Sequence, residues 1–414
     1  MNTLVMSTHS RLAAFLVIAG PGLVVMLADT DAGSIITASQ SGAQWGYKLL
    51  ALQLLLIPIL FMVQELTVRL GLFTGRGHGE LIRKHFGCGW AWVSVSTLLA
   101  SCLGALITEM SGIAGVGALY GIPIWASVLA TVCFLLIVVI SGSYRSVERV
   151  AVALGLFELT FLIVAVVSHP DASEVVHGLV SMPLGDHSYL YLMAANIGAV
   201  IMPWMIFFQQ SAVVDKGLKP NHLRAARWDT AVGAVVTQAI MASILISVAA
   251  TFGRSGDGSR LDTVQQISQA LTPYLGTQSG RLVFALGMLG ASLVAAIVVS
   301  LTAAWGLGEV TGYKHSLEHH PREAPWFYLV FAAALVLSGL LVSSGANLIS
   351  LSVGVEVMNA LLLPIVLGFL FVLARRALPR RAQLRGGYAM IVGLIIVLVA
   401  GLGVWGGLSG AWSA

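Results

Sequence analysis

Apart from the loop charges at their margins, the long apolar stretches of this 414-residue sequence contain six carboxylic acids: Asp29, Asp31, Glu65, Glu109, Glu158 and Glu356. No lysine or arginine sits near the centre of any of those stretches. In hydrocarbon each ionised acid costs roughly 3 kcal/mol on the insertion scale, and six cost on the order of 18 kcal/mol when nothing compensates. Acids keep such places when they face water, hold a proton or meet a cation, so a surplus of acids without fixed bases points to a cation pathway.

The six differ in what surrounds them. Asp31 belongs to Asp29-Thr30-Asp31-Ala32-Gly33-Ser34, a poor helix former in mid-run, where unwound carbonyls can join a carboxylate as hard oxygen ligands. Asp29 is either a second site charge or the acceptor for an amide freed by the break. Glu109 and Glu356 lie well inside their runs and are expected along an aqueous path. Glu65 stands four residues before Arg69, the spacing of an interfacial helix ion pair. For Glu158, in the fifth run, a structural role is the expectation. Met202 directly precedes Pro203, which removes a helix hydrogen bond in the sixth run, so its thioether can reach a cavity there. Such a soft ligand favours transition metals over Mg²⁺ or Ca²⁺. His315, His319 and His320 share one loop and are expected to be solvated. Cys88, Cys102 and Cys133 form no C-x-x-C pair and are expected to be buried, inert thiols.

The elements that must position these residues follow from composition. The chain is 57% hydrophobic and 10% charged, against about 25% charged in soluble domains. That excludes a soluble enzyme, a disordered chain, a collagen and a disulfide scaffold, and leaves an all-α polytopic membrane protein. The net charge of +4 is spread over short loops and is no nucleic-acid signature. Eleven apolar runs of spanning length lie near 12–42, 47–73, 89–119, 122–142, 145–167, 188–211, 226–252, 280–308, 326–343, 347–374 and 387–410. The first is far longer than the 7–15-residue apolar core of a signal peptide. With the N-terminus inside, 18 of the 22 lysines and arginines fall on the cytoplasmic side, Arg11 and Arg145 among them. Lys48, Arg254, Arg260 and Arg281 fall outside, and the loop at 168–187 carries Asp171, Glu174 and Asp186 with no lysine or arginine. The positive-inside rule therefore predicts N-in and C-out, with the tail after Trp412 outside.

The first and sixth runs are interrupted in the same way, at Asp29–Ser34 and at Gly198–Trp204, and five runs separate them. The pattern predicts a single transmembrane domain over 1–414, with one five-helix repeat at about 12–167, an inverted second at about 188–374, and an additional helix at about 387–410. Paired interrupted helices at matching places point to a transport site at the membrane midplane.

On these residues the chain resembles the NRAMP divalent-metal transporters. The resemblance is carried by Gly20-Pro21-Gly22 through Asp31-Ala32-Gly33-Ser34, by Gly42-Ala43-Gln44-Trp45-Gly46-Tyr47-Lys48, by Arg69-Leu70-Gly71 with Thr74-Gly75, and by Met202-Pro203. It implies a LeuT-like fold with the metal held between broken helices 1 and 6. Asp31 and Met202 match two family ligands, Ser34 stands where the family has Asn, and a backbone carbonyl near Ala199 or Ala28 completes the set. Gly33, Pro203 and Trp204 mark the breaks. Ala32 stands for the family's Pro, Trp204 for a His, and Leu106 for an Asp three residues before Glu109. That His and that Asp are associated in the family with proton movement.

The pattern is similar to the divergent NRAMP-related magnesium transporters of bacteria. Mg²⁺ gives up water reluctantly and is usually held by one or two carboxylates, so a short Ser with an added acid, Asp29, suits it. The expectation is import of Mg²⁺, with Mn²⁺ also carried, by alternating access and without proton coupling. Asp29, Glu109 and Glu356 would act as accessory acids. A proton-coupled Mn²⁺/Fe²⁺ symporter is the alternative, and an amino-acid permease of the same broad fold is the rival of another class. No H-E-x-x-H, G-x-S-x-G or P-loop suggests an enzyme. No cofactor, nucleic acid or obligate protein partner is expected. The metal ion and the lipid bilayer are the partners, and a multi-pass place in a bacterial inner membrane is implied.

Overall fold

The computed structural model describes residues 20–140, 144–252, 260–271, 275–317, 319–344 and 347–411. The start of the first run near 12, with Arg11, lies outside the described residues, as do Arg254 and the tail from Trp412. The first half of the chain forms α1 (Pro21–Asp29), α2 (Ala32–Trp45), α3 (Leu50–Thr74), α4 (His78–Phe86), α5 (Cys88–Leu119), α6 (Ile124–Ile140), α7 (Tyr144–Gly155), α8 (Thr160–Val167) and α9 (Ala172–Val180). The second half forms α10 (His187–Val200), α11 (Pro203–Asp215), α12 (Leu223–Thr251), α13 (Val264–Leu271), α14 (Thr277–Thr311), α15 (Pro325–Val342), α16 (Leu348–Arg376) and α17 (Gly386–Ala411).

Among the described residues, nine helical stretches are long and apolar enough to cross a membrane, and Ile124–Ile140 is a shorter apolar helix. One of the nine, Ala32–Thr74, contains both α2 and α3. Gly46, with φ +56, turns the chain between them through the single 3₁₀ turn Gly46–Leu49. Each apolar run of the sequence thus coincides with one helix or with a broken pair. The short helices α4, α9 and α13 lie in the connections and carry no long apolar run. A tight turn at Tyr120–Pro123 closes α5 with the amide of Ile122 on the Gly117 carbonyl and that of Gly121, at φ +73, on Ala118.

Packing places both breaks in the interior. α12 lies along α1, α2 and α3, α14 along α5, and α10 against α16 and α17. α10 approaches α16 so closely that a Cβ on Gly198 would strike the Glu356 carbonyl, the small-residue contact by which membrane helices gain van der Waals packing. The periphery is apolar: Ile137, Val166 and Met390 are 71%, 76% and 77% exposed, while Asp31, Glu109 and Glu356 are fully buried. This arrangement corrects one expectation. Cys102 is buried, but Cys88 and Cys133 are exposed, because Cys88 opens α5 ahead of its apolar run and a membrane helix such as α6 also has an outward side.

Candidate functional site

The first break is built by its own sequence. α1 stops at Asp29, Thr30 leaves the helix at φ −79 and ψ 53, and Asp31 restarts it as the N-cap of α2, with Oδ1 accepting from the Ser34 amide at 2.7 Å. Aspartate is among the preferred N-caps because its oxygen satisfies an amide that no helix carbonyl can reach. The Ala32 amide is taken instead by Glu109 Oε2, reaching across from α5 at 3.2 Å, and the Thr108 hydroxyl donates to Glu109 Oε1. Thus Glu109, expected on an aqueous path, helps hold the break open.

Glu356 approaches from α16. Its Oε2 accepts from Asn359 Nδ2 at 3.0 Å, and its Oε1, without a hydrogen-bond partner among the described residues, lies where a Cβ on Gly33 would go. Asp29 Oδ2 accepts from the Thr237 hydroxyl of α12 at 3.3 Å, while Oδ1 has no such partner. Asp31 Oδ2 is also buried without one. Asp29, Glu109, Glu158 and Glu356 all feel the charge of Asp31, which is the hub of the cluster.

The second break faces the first. α10 ends at Val200, Met202 is extended at φ −85 and ψ 140, and Pro203 opens α11 at the position where its missing amide is harmless. The Ala199 carbonyl accepts from the Ser34 hydroxyl at 3.1 Å, and Met202 Sδ accepts from Trp204 Nε1 at 3.0 Å. Ser34 and Ala199 are therefore brought together with Asp31, while Met202, Pro203 and Trp204 belong to the second break; two of the expected ligands are bonded to each other and a third to an indole. Ala28 is buried one residue before the end of α1. Among the described residues, no three His, Cys, Asp or Glu side chains converge tightly enough to hold a metal ion. The arrangement holds two uncommitted carboxylate oxygens, Asp31 Oδ2 and Glu356 Oε1, around a residue without a side chain. Carboxylate and carbonyl oxygens of this kind are the donors that hard cations take.

A cavity of about 530 Å³ lies toward the far end of α2, lined in part by Gln40, Gln44, Tyr191, Leu261 and Val353. Gln40 is nine residues past Asp31, roughly 13 Å along the helix axis, and clasps the backbone of Leu261 with both ends of its amide, at 2.5 and 3.2 Å.

Glu65 lies apart from the cluster, in a double ion pair with Arg69 at 2.5 Å and Arg227 at 2.7 Å. Sequence reasoning misses two other buried acids. Asp229 of α12 accepts from the Gly20 and Gly22 amides at 3.2 and 2.8 Å and so caps α1. Glu309 of α14 accepts from the Gly79 amide at 2.7 Å and the Ser211 hydroxyl at 2.5 Å, joining α4 to α11. Both stand near helix ends, where an acid in the sequence reads as an ordinary boundary charge.

Two interrupted helices with buried acids at their crossing define a helical membrane protein of LeuT-like build. The structure superposes on the manganese transporter of Eremococcus coleocola with a TM-score of 0.76 and 20% identity, covering 96% of this chain and 87% of that one. It superposes on MhsT, solved with L-phenylalanine, with a TM-score of 0.61 and 15% identity over 94% and 98% of the two chains. These likenesses speak to the fold. Residues 22–409 match the family model described as natural resistance-associated macrophage protein-like, and the chain belongs to the Nramp family. A divalent metal cation transporter MntH of Bradyrhizobium diazoefficiens is 28% identical over 306 residues, 70% of this chain and 66% of that protein. One of Klebsiella pneumoniae is 27% identical over 297 residues, 69% and 70% of the two.

Proposed function

We propose that this chain is a transporter, not an enzyme, and carries a divalent metal cation across a bacterial inner membrane by alternating access. Asp31 is the central ligand, with Ser34, the Ala199 or Ala28 carbonyl and water. Glu356, Glu109 and Asp29 hold the negative potential around it. The reading takes the chain as one domain of eleven crossings, N-in and C-out, in two inverted five-helix repeats with an additional helix. The relatives named as divalent metal and manganese transporters support the substrate class.

Within that class the reading is Mg²⁺ with Mn²⁺ also carried, uncoupled from protons. One observation carries it: the Trp204 indole N–H donates to the Met202 sulfur. A thioether so engaged is withdrawn from the ion, which leaves hard oxygens, the donors that suit Mg²⁺. The same tryptophan has no basic nitrogen to accept a proton, and Leu106 has no carboxyl. A proton-coupled Mn²⁺/Fe²⁺ symporter is the second reading, favoured by the presence of Met202 beside the break. An amino-acid permease fits worst, since Asp29 and Asp31 would repel a substrate carboxylate.

The test is flux into liposomes holding a Mg²⁺ dye and a pH dye, with Asp31→Ala as control. Mg²⁺ influx competed by Mn²⁺ and silent in the pH channel is the expected result. Mn²⁺ influx with acidification and no Mg²⁺ signal would replace it with the symporter.

A further inference from the structure

Beyond feeling the charge of Asp31, Glu158 has been given no role in the site, and its placement is costly. The fifth run is not one helix: α7 ends at Gly155, a single 3₁₀ turn spans Leu156–Leu159, and α8 resumes at Thr160. A 3₁₀ turn in mid-helix often marks a functional hinge or a strained sequence. Here it leaves Leu156 and Phe157 exposed while Glu158 is fully buried, in a turn packed on α14. Neither carboxylate oxygen has a hydrogen bond among the described residues. The polar group beside it is the Thr30 hydroxyl, and the charges it feels are Asp31 and Asp29.

Asp29 is in the same condition, with Oδ1 buried and unpartnered. The two are linked through hydroxyls. Thr30 and Thr237 share a hydrogen bond of 2.6 Å, and Thr237 donates to Asp29 Oδ2. Glu109 and Glu356 meet the restart of the helix, at Ala32 and Gly33, whereas Glu158 and Asp29 stand at Thr30, before Asp31.

Charge balance asks for something there. Asp29, Asp31, Glu109, Glu158 and Glu356 are buried, and the only buried lysine or arginine among the described residues is Arg69, which is engaged by Glu65. With no buried base to offset them, these acids must hold protons or meet cations, and a single divalent ion meets only two negative charges. Buried charges persist only when paired or coordinating.

We propose that Glu158 and Asp29, with the hydroxyls of Thr30 and Thr237, form a second position for a hard divalent cation, Mg²⁺ or Mn²⁺, next to the Asp31 position. Carboxylate and hydroxyl oxygens are the donors such ions take. The inference rests on the reading of Asp31 as a metal position, and the test separates the two.

Mn²⁺ is counted by equilibrium dialysis against the full chain in lipid nanodiscs, with electron paramagnetic resonance to detect coupling between neighbouring ions. The wild type is expected to bind two Mn²⁺ per chain with a coupled spectrum. Glu158→Gln and Asp29→Asn are each expected to bind one, uncoupled, and Asp31→Ala to keep one. Asp29→Asn, close to isosteric, decides the matter if Glu158→Gln does not remain monodisperse. A wild type that binds one ion, lost in Asp31→Ala and kept in Glu158→Gln, overturns the second position and leaves the transporter reading standing. Two ions retained in both Glu158→Gln and Asp29→Asn overturn it as well. A wild type that binds none overturns both.

Discussion

Trp204 makes two predictions separable by substitution. Its indole N–H engages the Met202 sulfur, and its ring lacks a proton acceptor. Trp204→Phe removes only the first property, freeing the thioether without adding a base. The Mn²⁺:Mg²⁺ uptake ratio is expected to rise on the order of tenfold, equivalent to about 1.4 kcal/mol, with the pH dye still silent. Competition between the two ions in liposomes reads it, and an unchanged ratio would show that the sulfur plays no part in selectivity. At Gly33 the effect is steric: a Cβ there would collide with Glu356 Oε1 and crowd the Thr108 hydroxyl. Gly33→Ala should abolish flux of either metal while the protein remains monodisperse. Such residues were legible in the sequence because an acid, or a Gly-Pro interruption, stands out against an apolar run. Glu158 was legible as an acid but not as a partner of Thr30, since nothing in Leu156-Phe157-Glu158-Leu159 announces a 3₁₀ turn.

At the scale of elements, the weak members are the short ones. α1 has nine described residues, too few for a helix to hold itself together, and its first amides depend on Asp229. Beside Gly20, Glu148 and Lys216 close the same corner with an ion pair of 2.7 Å. Losing a cap costs about 0.5–2 kcal/mol, so Asp229→Ala should let α1 open more often. A cysteine placed by Ala28→Cys, with the native cysteines replaced, is expected to react roughly fivefold faster with a water-soluble maleimide, as about 1 kcal/mol implies. Equal rates would mean that α1 is held by something else. α4 is pinned by His78 as well as Glu309. Gln210 Nε2 donates to the Arg76 carbonyl, so Gln210 Oε1 must accept from His78 Nδ1 at 2.9 Å, leaving Nε2 buried and bare. A proton on Nε2 would find no acceptor, and burial pulls the imidazole from 6.5 down to about 4. The unfolded chain takes up that proton near pH 6.5 and the folded chain only near 4, so stability is full above 6.5 and falls as the pH drops between them. The full loss is about 3 kcal/mol. Thermal unfolding in detergent at pH 7.5 and 4.5 should show the fall in the wild type and a shallower one in His78→Gln.

For the molecule as a whole, the apolar runs were readable because crossing a bilayer demands long hydrophobic helices, and the two breaks because they contradict that demand. How the runs pack was not readable, since lipid-facing and helix-facing positions are alike in composition. Hence the exposed Cys133, and the capping role of Asp229 at the margin of an apolar run. What the assembled fold adds is a charge imbalance that belongs to no single helix: acids from α1, α5, α16, the turn before α8 and the N-cap of α2 are buried around the first break, with no buried base beside them among the described residues. Such a centre resists closure when empty and favours it when a cation is bound, so the metal should act as a stabilising ligand of the folded state. Linkage fixes the size: a ligand at a hundredfold its Kd, bound only by the folded chain, adds about 2.7 kcal/mol. The apparent melting temperature in nanodiscs is therefore expected to climb with Mg²⁺ and to keep climbing by the logarithm of its concentration. Asp31→Ala, left with the position at Asp29 and Glu158 alone, should climb less steeply. Glu65→Gln, an acid equally buried but already paired with Arg69 and Arg227, should lower the baseline yet leave the metal-dependent rise intact. If Asp31→Ala climbs as steeply as the wild type, the stabilising ion sits elsewhere and the acid cluster is not what receives it.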